Sequence, residues 1–124
     1  MDSTTTLDLS QFYGTENYYR TNPFFAKDMV HTDGVQYFAD NAGNGAYWFL
    51  DIVATEYFPL LKKEPFISIT LIVGSNQDDN NAMIVVEDGD CELLAKKIIE
   101  YTDCPVGEYK FFLTNNVLML TSEY

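Results

Sequence analysis

The clearest alternation of apolar and polar positions lies after Pro65, where "FISITLIVG" sets Ile67, Ile69, Leu71 and Val73 against Ser68 and Thr70. A period of two predicts a half-buried β-strand. "AMIVVEDGDCELL" predicts a second strand that turns at Asp88-Gly89, a favoured hairpin pair. Residues 91–102, "CELLAKKIIEYT", fit two templates. Cys91, Leu94, Ala95, Ile98 and Ile99 have helical spacing, while the preceding turn favours a returning strand, and strand is the preferred reading. "YKFFL", the turn "TNN" and "VLMLTSEY" predict a further hairpin, and "SNQDDNN" a polar loop.

Upstream the period changes to that of a helix. "DGVQYFADNAG" places Val35, Phe38 and Ala39 on one face, with Asp33 as candidate cap and Gly43 as candidate terminator. "GAYWFLDIVATEYFPLL" carries Trp48, Phe49, Ile52, Val53 and Phe58 at helical spacing until Pro59, which predicts a second helix over 46–58. "LDLSQFYG" reads as one helical turn stopped by Gly14, and "TNPFF" as a bend at Pro23. Helices first and strands second predict an α+β domain, with N-terminal helices packed on one face of a C-terminal antiparallel sheet of about four to five strands. No linker or repeat interrupts the 124 residues, so 1–124 reads as a single domain with a polar, frayed 1–8.

Composition adds a charge constraint. Nineteen acidic residues face seven basic ones, a net charge of −12, and the imbalance steepens after residue 74. Such a chain repels nucleic acid and anionic membrane and favours a basic partner. A solubilising role for the charge is the plain alternative. Nine Phe, nine Tyr and one Trp supply much of the apolar surface. "MDSTTTLDLSQ" lacks the basic and apolar regions of a secretory signal, and no apolar run approaches a bilayer span, so the expectation is a cytoplasmic protein.

The candidate chemistry centres on "MVHTDGVQYFADNAGNGAYWFLD". His31, the only histidine, and Asp33 suggest a general base with its orienting acid, but residues two apart in a loop need not face each other. The plainer reading makes His31 a local structural residue and Asp33 a helix cap. "NAGNG" lacks the Gly-Lys-Ser/Thr of a phosphate loop and reads as a helix-to-helix turn with Gly43 and Gly45 at positive φ. "AYWFLD" reads as core packing rather than a base-stacking platform. "DDNNAMIVVEDG" puts apolar residues where a calcium loop needs oxygen ligands, so no metal is expected. Cys91 and Cys104 lack a zinc-ligand pattern and read as reduced thiols, with a disulfide left open. No cofactor is implied.

The order "HTDGVQYFAD", "GAYWFLDIVA", "YTDCPV" and terminal "VLMLTSEY" resembles a family of small bacterial proteins described only as a domain of unknown function, over about Leu9 to Tyr124. Its members commonly carry TDG, AYWLLD, YTDFP and a terminal SEY, and here Cys104 stands where Phe is expected. The resemblance supplies no reaction. It implies a setting among plasmid and phage accessory genes, where proteins act by binding and where acidic inhibitors of host nucleases, anti-CRISPR proteins included, are a recognised class. The leading expectation is therefore a non-enzymatic inhibitor or modulator whose acidic face, Asp78, Asp79, Glu87, Asp88 and Asp90, docks on the basic nucleic-acid groove of a defence nuclease. The alternatives are a small hydrolase using His31 and Asp33, and a housekeeping protein-interaction module.

Overall fold

The computed structural model describes residues 9, 17–22, 24, 26–74 and 81–124. Two strands open it, β1 (Tyr18–Asn22) and β2 (Ala26–Thr32), followed by helices α1 (Asp33–Asn41) and α2 (Tyr47–Ile52). Past α2 the chain widens into a π turn at Val53–Tyr57 and tightens into a 3-10 turn at Phe58–Lys62. Then come β3 (Phe66–Val73), β4 (Ala82–Asp88), β5 (Leu93–Ile99), β6 (Gly107–Thr114) and β7 (Val117–Leu120), closed by a 3-10 turn at Thr121–Glu123.

The class is α+β, with a sheet of seven strands in the order β1-β2-β7-β6-β3-β4-β5 instead of the four to five expected. The two additional strands lie upstream of the helices. Their sequences, "YYRTN" and "AKDMVHT", show no clean alternation, because β1 is an edge strand whose Tyr18, Tyr19 and Arg20 are exposed. The sheet is also mixed. β2 runs parallel to β7, pairing Val30 with Val117 and His31 with Leu118, while the other neighbours are antiparallel. That parallel pair joins the two ends of the chain.

The alternation in β3 is realised residue for residue, with Ile67, Ile69, Leu71 and Val73 buried under the helices. Register carries the same face through Ile84 and Val86 of β4 and Phe111 and Leu113 of β6. Residues 93–99 are strand, as the hairpin turn favoured, and the left-handed residue of that turn is Cys91 at φ 64°. Asn115 and Asn116, both at positive φ, make the two-residue turn between β6 and β7 that matches the twist of its strands.

In α1, Val35, Phe38 and Ala39 are buried. The cap, however, is Thr32, whose Oγ1 accepts from Val35 N at 3.4 Å, and Asp33 is the first helical residue. In α2 and its extension the buried stripe is Phe49, Leu50, Val53, Ala54 and Tyr57, while Trp48 and Ile52 are half-buried. The stripe is turned by about one residue from the expected face, and the helical path runs past Pro59 as the 3-10 turn, where proline near the start loses no needed donor. Three fully buried rings form the centre: Phe111 lies 4.8 Å from Phe49 and 5.3 Å from Phe38 between centroids, and Phe38 lies 5.8 Å from Phe49. Burying each such ring is worth about 1.5–3 kcal/mol.

Candidate functional site

Carboxylates concentrate at the β4–β5 turn. Glu87, Asp88, Asp90 and Glu92 fall within six residues, with Asp90 and Glu92 exposed and Glu87 and Asp88 half-buried. Their roles differ. Asp88 Oδ1 accepts from the backbone N–H groups of Asp90 at 2.8 Å and Glu92 at 2.9 Å, so its carboxylate holds the turn together. Glu87 lies on the sheet face away from the helices, opposite Ser68.

Asp78 and Asp79 lie outside the described residues. Their loop is bracketed by Gly74 and Asn81, which bond to each other at 3.0 Å (Gly74 N to Asn81 O). That bracket sits at the far end of β4 from Asp88. Seven strand residues at about 3.3 Å each put roughly 20 Å between Ala82 and Asp88.

His31 sits on β2, only 2 % exposed, at the centre of a polar chain that sequence reading missed. The Gln36 amide nitrogen donates to both Asp40 oxygens at 3.3 and 3.2 Å and to Tyr47 OH at 2.6 Å, and Tyr47 OH in turn donates to Asp40. This orientation leaves Gln36 Oε1 facing His31 Nε2 at 2.7 Å, which requires the proton on Nε2. Nδ1 of the neutral ring then accepts from the Thr21 hydroxyl at 2.8 Å. Burial pushes the His31 pKa below its ordinary 6.5, while the Gln36 bond and the Asp40 charge oppose that shift.

Asp33 works elsewhere. Its oxygens accept from the Tyr19 hydroxyl at 3.0 Å and the Asn17 N–H at 3.2 Å, and the bond to Asp33 raises the Tyr19 pKa. The Tyr19 ring stacks on His31 at 5.6 Å. Both ring nitrogens of His31 are thus engaged within the fold, in keeping with a local structural role, and its neighbours are Thr21, Gln36 and, through Gln36, Asp40 rather than Asp33. The (i, i+4) relation of Gln36 and Asp40 on one helix face was the available signal.

The other motifs meet in pairs. Glu123 of "SEY" reaches the N-terminus of α1, where Oε1 accepts from Thr32 Oγ1 at 2.6 Å and Leu120 N at 2.9 Å, and Oε2 accepts from Gly34 N at 3.0 Å. A Cβ on Gly34 would come within 2.5 Å of Leu120 Cδ1 and 2.7 Å of Glu123 Oε1, so "TDG" and "SEY" close on each other. Likewise Asp103 of "YTDCP" accepts from Asn44 N at 2.9 Å, and a Cβ on Gly43, at φ +61°, would meet its Oδ1 at 2.4 Å. Cys104 beside it is buried and free, and burial pushes its thiol up to about 12. Cys91 is free and exposed. These motifs hold the helical layer to the chain's C-terminal half.

Among the described residues no group of three or more His, Cys, Asp or Glu could hold a metal ion, and no helix is long and apolar enough to cross a membrane. One family model, described as a family of unknown function (DUF6876), matches residues 3–124. No curated protein and no solved structure matches the chain.

Proposed function

The chain belongs to DUF6876, a family of unknown function, and we propose that it acts by binding, as an acidic protein that docks on the basic surface of a nucleic-acid-binding partner. The observation that carries this reading is the net charge of −12, with four carboxylates crowded on the β4–β5 turn and no cation in that segment. Carboxylates presented this way stand in for phosphates. They speed encounter with a cationic groove and exclude its proper ligand.

The groove of a defence nuclease, a CRISPR–Cas enzyme included, is the partner class that fits this chemistry. A plasmid or phage gene and a cytoplasmic site of action belong to the same reading. The docking residues are Asp90 on the β4–β5 turn together with Asp78 and Asp79, while Glu87 stands apart on the sheet face away from the helices. Asp88 is set apart because its carboxylate builds the turn. A hydrolase using His31 and Asp33 draws no support from this geometry, since each is bonded to other groups.

The test is capture of partners from a native-host lysate by the wild-type chain and by a variant with Asp78, Asp79 and Asp90 reversed to Lys. Asp90 is exposed, and exposed charges contribute little to folding, so the variant should melt as the wild type does. The reading requires that a nucleic-acid-binding protein be retained by the wild type and lost by the variant. Equal retention by both would remove the acidic site.

A further inference from the structure

The helices cover one face of the sheet, and among the described residues the opposite face of β3 to β6 is half-buried to exposed. Its residues alternate with the buried ones along β3, so Phe66, Ser68, Thr70 and Ile72 point outward. At one end Phe66 and Phe112 lie 4.8 Å apart, and Tyr124, 74 % exposed, stands edge-on to both at 5.4 and 5.3 Å. At the other end Ile72, Met83 and Ile98 line a shallow cavity of 160 Å³, and Ile98 is 63 % exposed. Solvated faces of antiparallel sheets are ordinarily polar. This one has an aromatic cluster at one corner and an aliphatic hollow at the other.

Charge separates this face from the rest of the molecule. Register puts Lys110 and Lys96 in one cross-strand row with Thr70 and Val85, and places Glu108 and Glu87 in the rows on either side. Over β3 to β6 the face is thus balanced, two cations to two carboxylates, on a chain whose net charge is −12. A basic partner has no electrostatic reason to choose it. A second copy of this chain does, because two such acidic molecules meet there with cations and carboxylates in equal number.

We propose that this open face is the interface of a two-fold symmetric dimer, with two sheets packed face to face and the acidic surfaces turned outward. Sheets pack in this way about 10 Å apart, with strands aligned or crossed. By size it is a weak dimer, since a seven-stranded sheet with strands of four to eight residues presents roughly 700 Å² per face at about 3.3 Å rise and 4.8 Å spacing. A standard interface needs about 800 Å² per partner. Phe66, Phe112 and Tyr124 supply aromatic contacts at one corner and Ile72, Met83 and Ile98 aliphatic ones at the other, and Lys96, Lys110, Glu87 and Glu108 lie between them, where opposite charges pair across the seam.

Sedimentation equilibrium of the full chain tests this. The wild type should approach twice the 14.2 kDa chain mass as concentration rises to about 0.5 mM. Its association should tighten with added salt, which screens the repulsion between the two acidic bodies. Ile98→Glu and Tyr124→Glu, at opposite corners and both exposed, should each weaken association about tenfold or more with an unchanged melting curve. A wild type that stays at 14.2 kDa throughout overturns the proposal, even if it captures a different protein by this face. A dimer that both variants leave intact overturns it equally. Neither result touches the acidic docking reading, whose binding weakens with salt.

Discussion

Removing the Glu123 carboxylate should cost more than its half-buried position at the chain's C-terminal end suggests. Its two oxygens receive three bonds, from Thr32 Oγ1, Gly34 N and Leu120 N, and thereby join the last turn to the first turn of α1. Hydrogen bonds to a charged group contribute about 1.5–3 kcal/mol each when buried. Partial exposure reduces that, and Thr32 and the two N–H groups recover some solvation in the mutant. Glu123→Ala should therefore lose about 2–4 kcal/mol in urea unfolding, and the melting temperature should drop by roughly 8–16 °C for a chain of this size. Glu123→Gln, which keeps one acceptor oxygen and turns an NH2 toward a donor, should lose about half as much. A loss below about 0.5 kcal/mol for Glu123→Ala would refute the idea that this contact ties the two ends of the fold.

Other consequences are as direct. Gly43→Ala, forced to φ +61° against the Asp103 carboxylate, should lose about 1–3 kcal/mol by the same urea assay, whereas an unstrained site would gain a few tenths. Phe49→Ala should cost about 3–5 kcal/mol and half-buried Trp48→Ala distinctly less, and the reverse order would mean that the helix face is wrongly assigned. With its folded-state pKa depressed, His31 binds a proton more readily in the unfolded chain, so its contribution is complete above about pH 6.5 and fades as pH falls below that value. His31→Asn should flatten that segment of the stability profile, and an unaltered slope would rule out a buried neutral ring. A thiol reagent should modify Cys91 rapidly in the native protein and reach Cys104 only on unfolding, and rapid reaction of both would contradict the burial of Cys104.

What the sequence disclosed depended on how local each signal was. The period-two pattern of Phe66–Val73 and the stripe Val35, Phe38, Ala39 are set by neighbours in sequence, and both faces match the structure. β1 and β2 owe their place to a parallel pairing with β7 nearly ninety residues away, and their mixed residues carry no mark of it. In α2 the buried pair is Phe49 and Leu50 rather than Trp48, and nothing in a regular period foretells the π turn at Val53–Tyr57 that follows. At the candidate site the carboxylates could be counted in advance. The turn-building role of Asp88 and the capture of His31 by Gln36 depend on tertiary geometry.

The central claim is recognition of a basic partner through carboxylates, and its most direct measurement is the association rate of the captured partner against ionic strength. Electrostatic docking predicts that the rate falls at least about tenfold between about 50 mM and 500 mM salt, and that reversing Asp78, Asp79 and Asp90 abolishes that dependence. A rate indifferent to salt, matched by the reversed variant, would contradict the account and return the charge to a solubilising role.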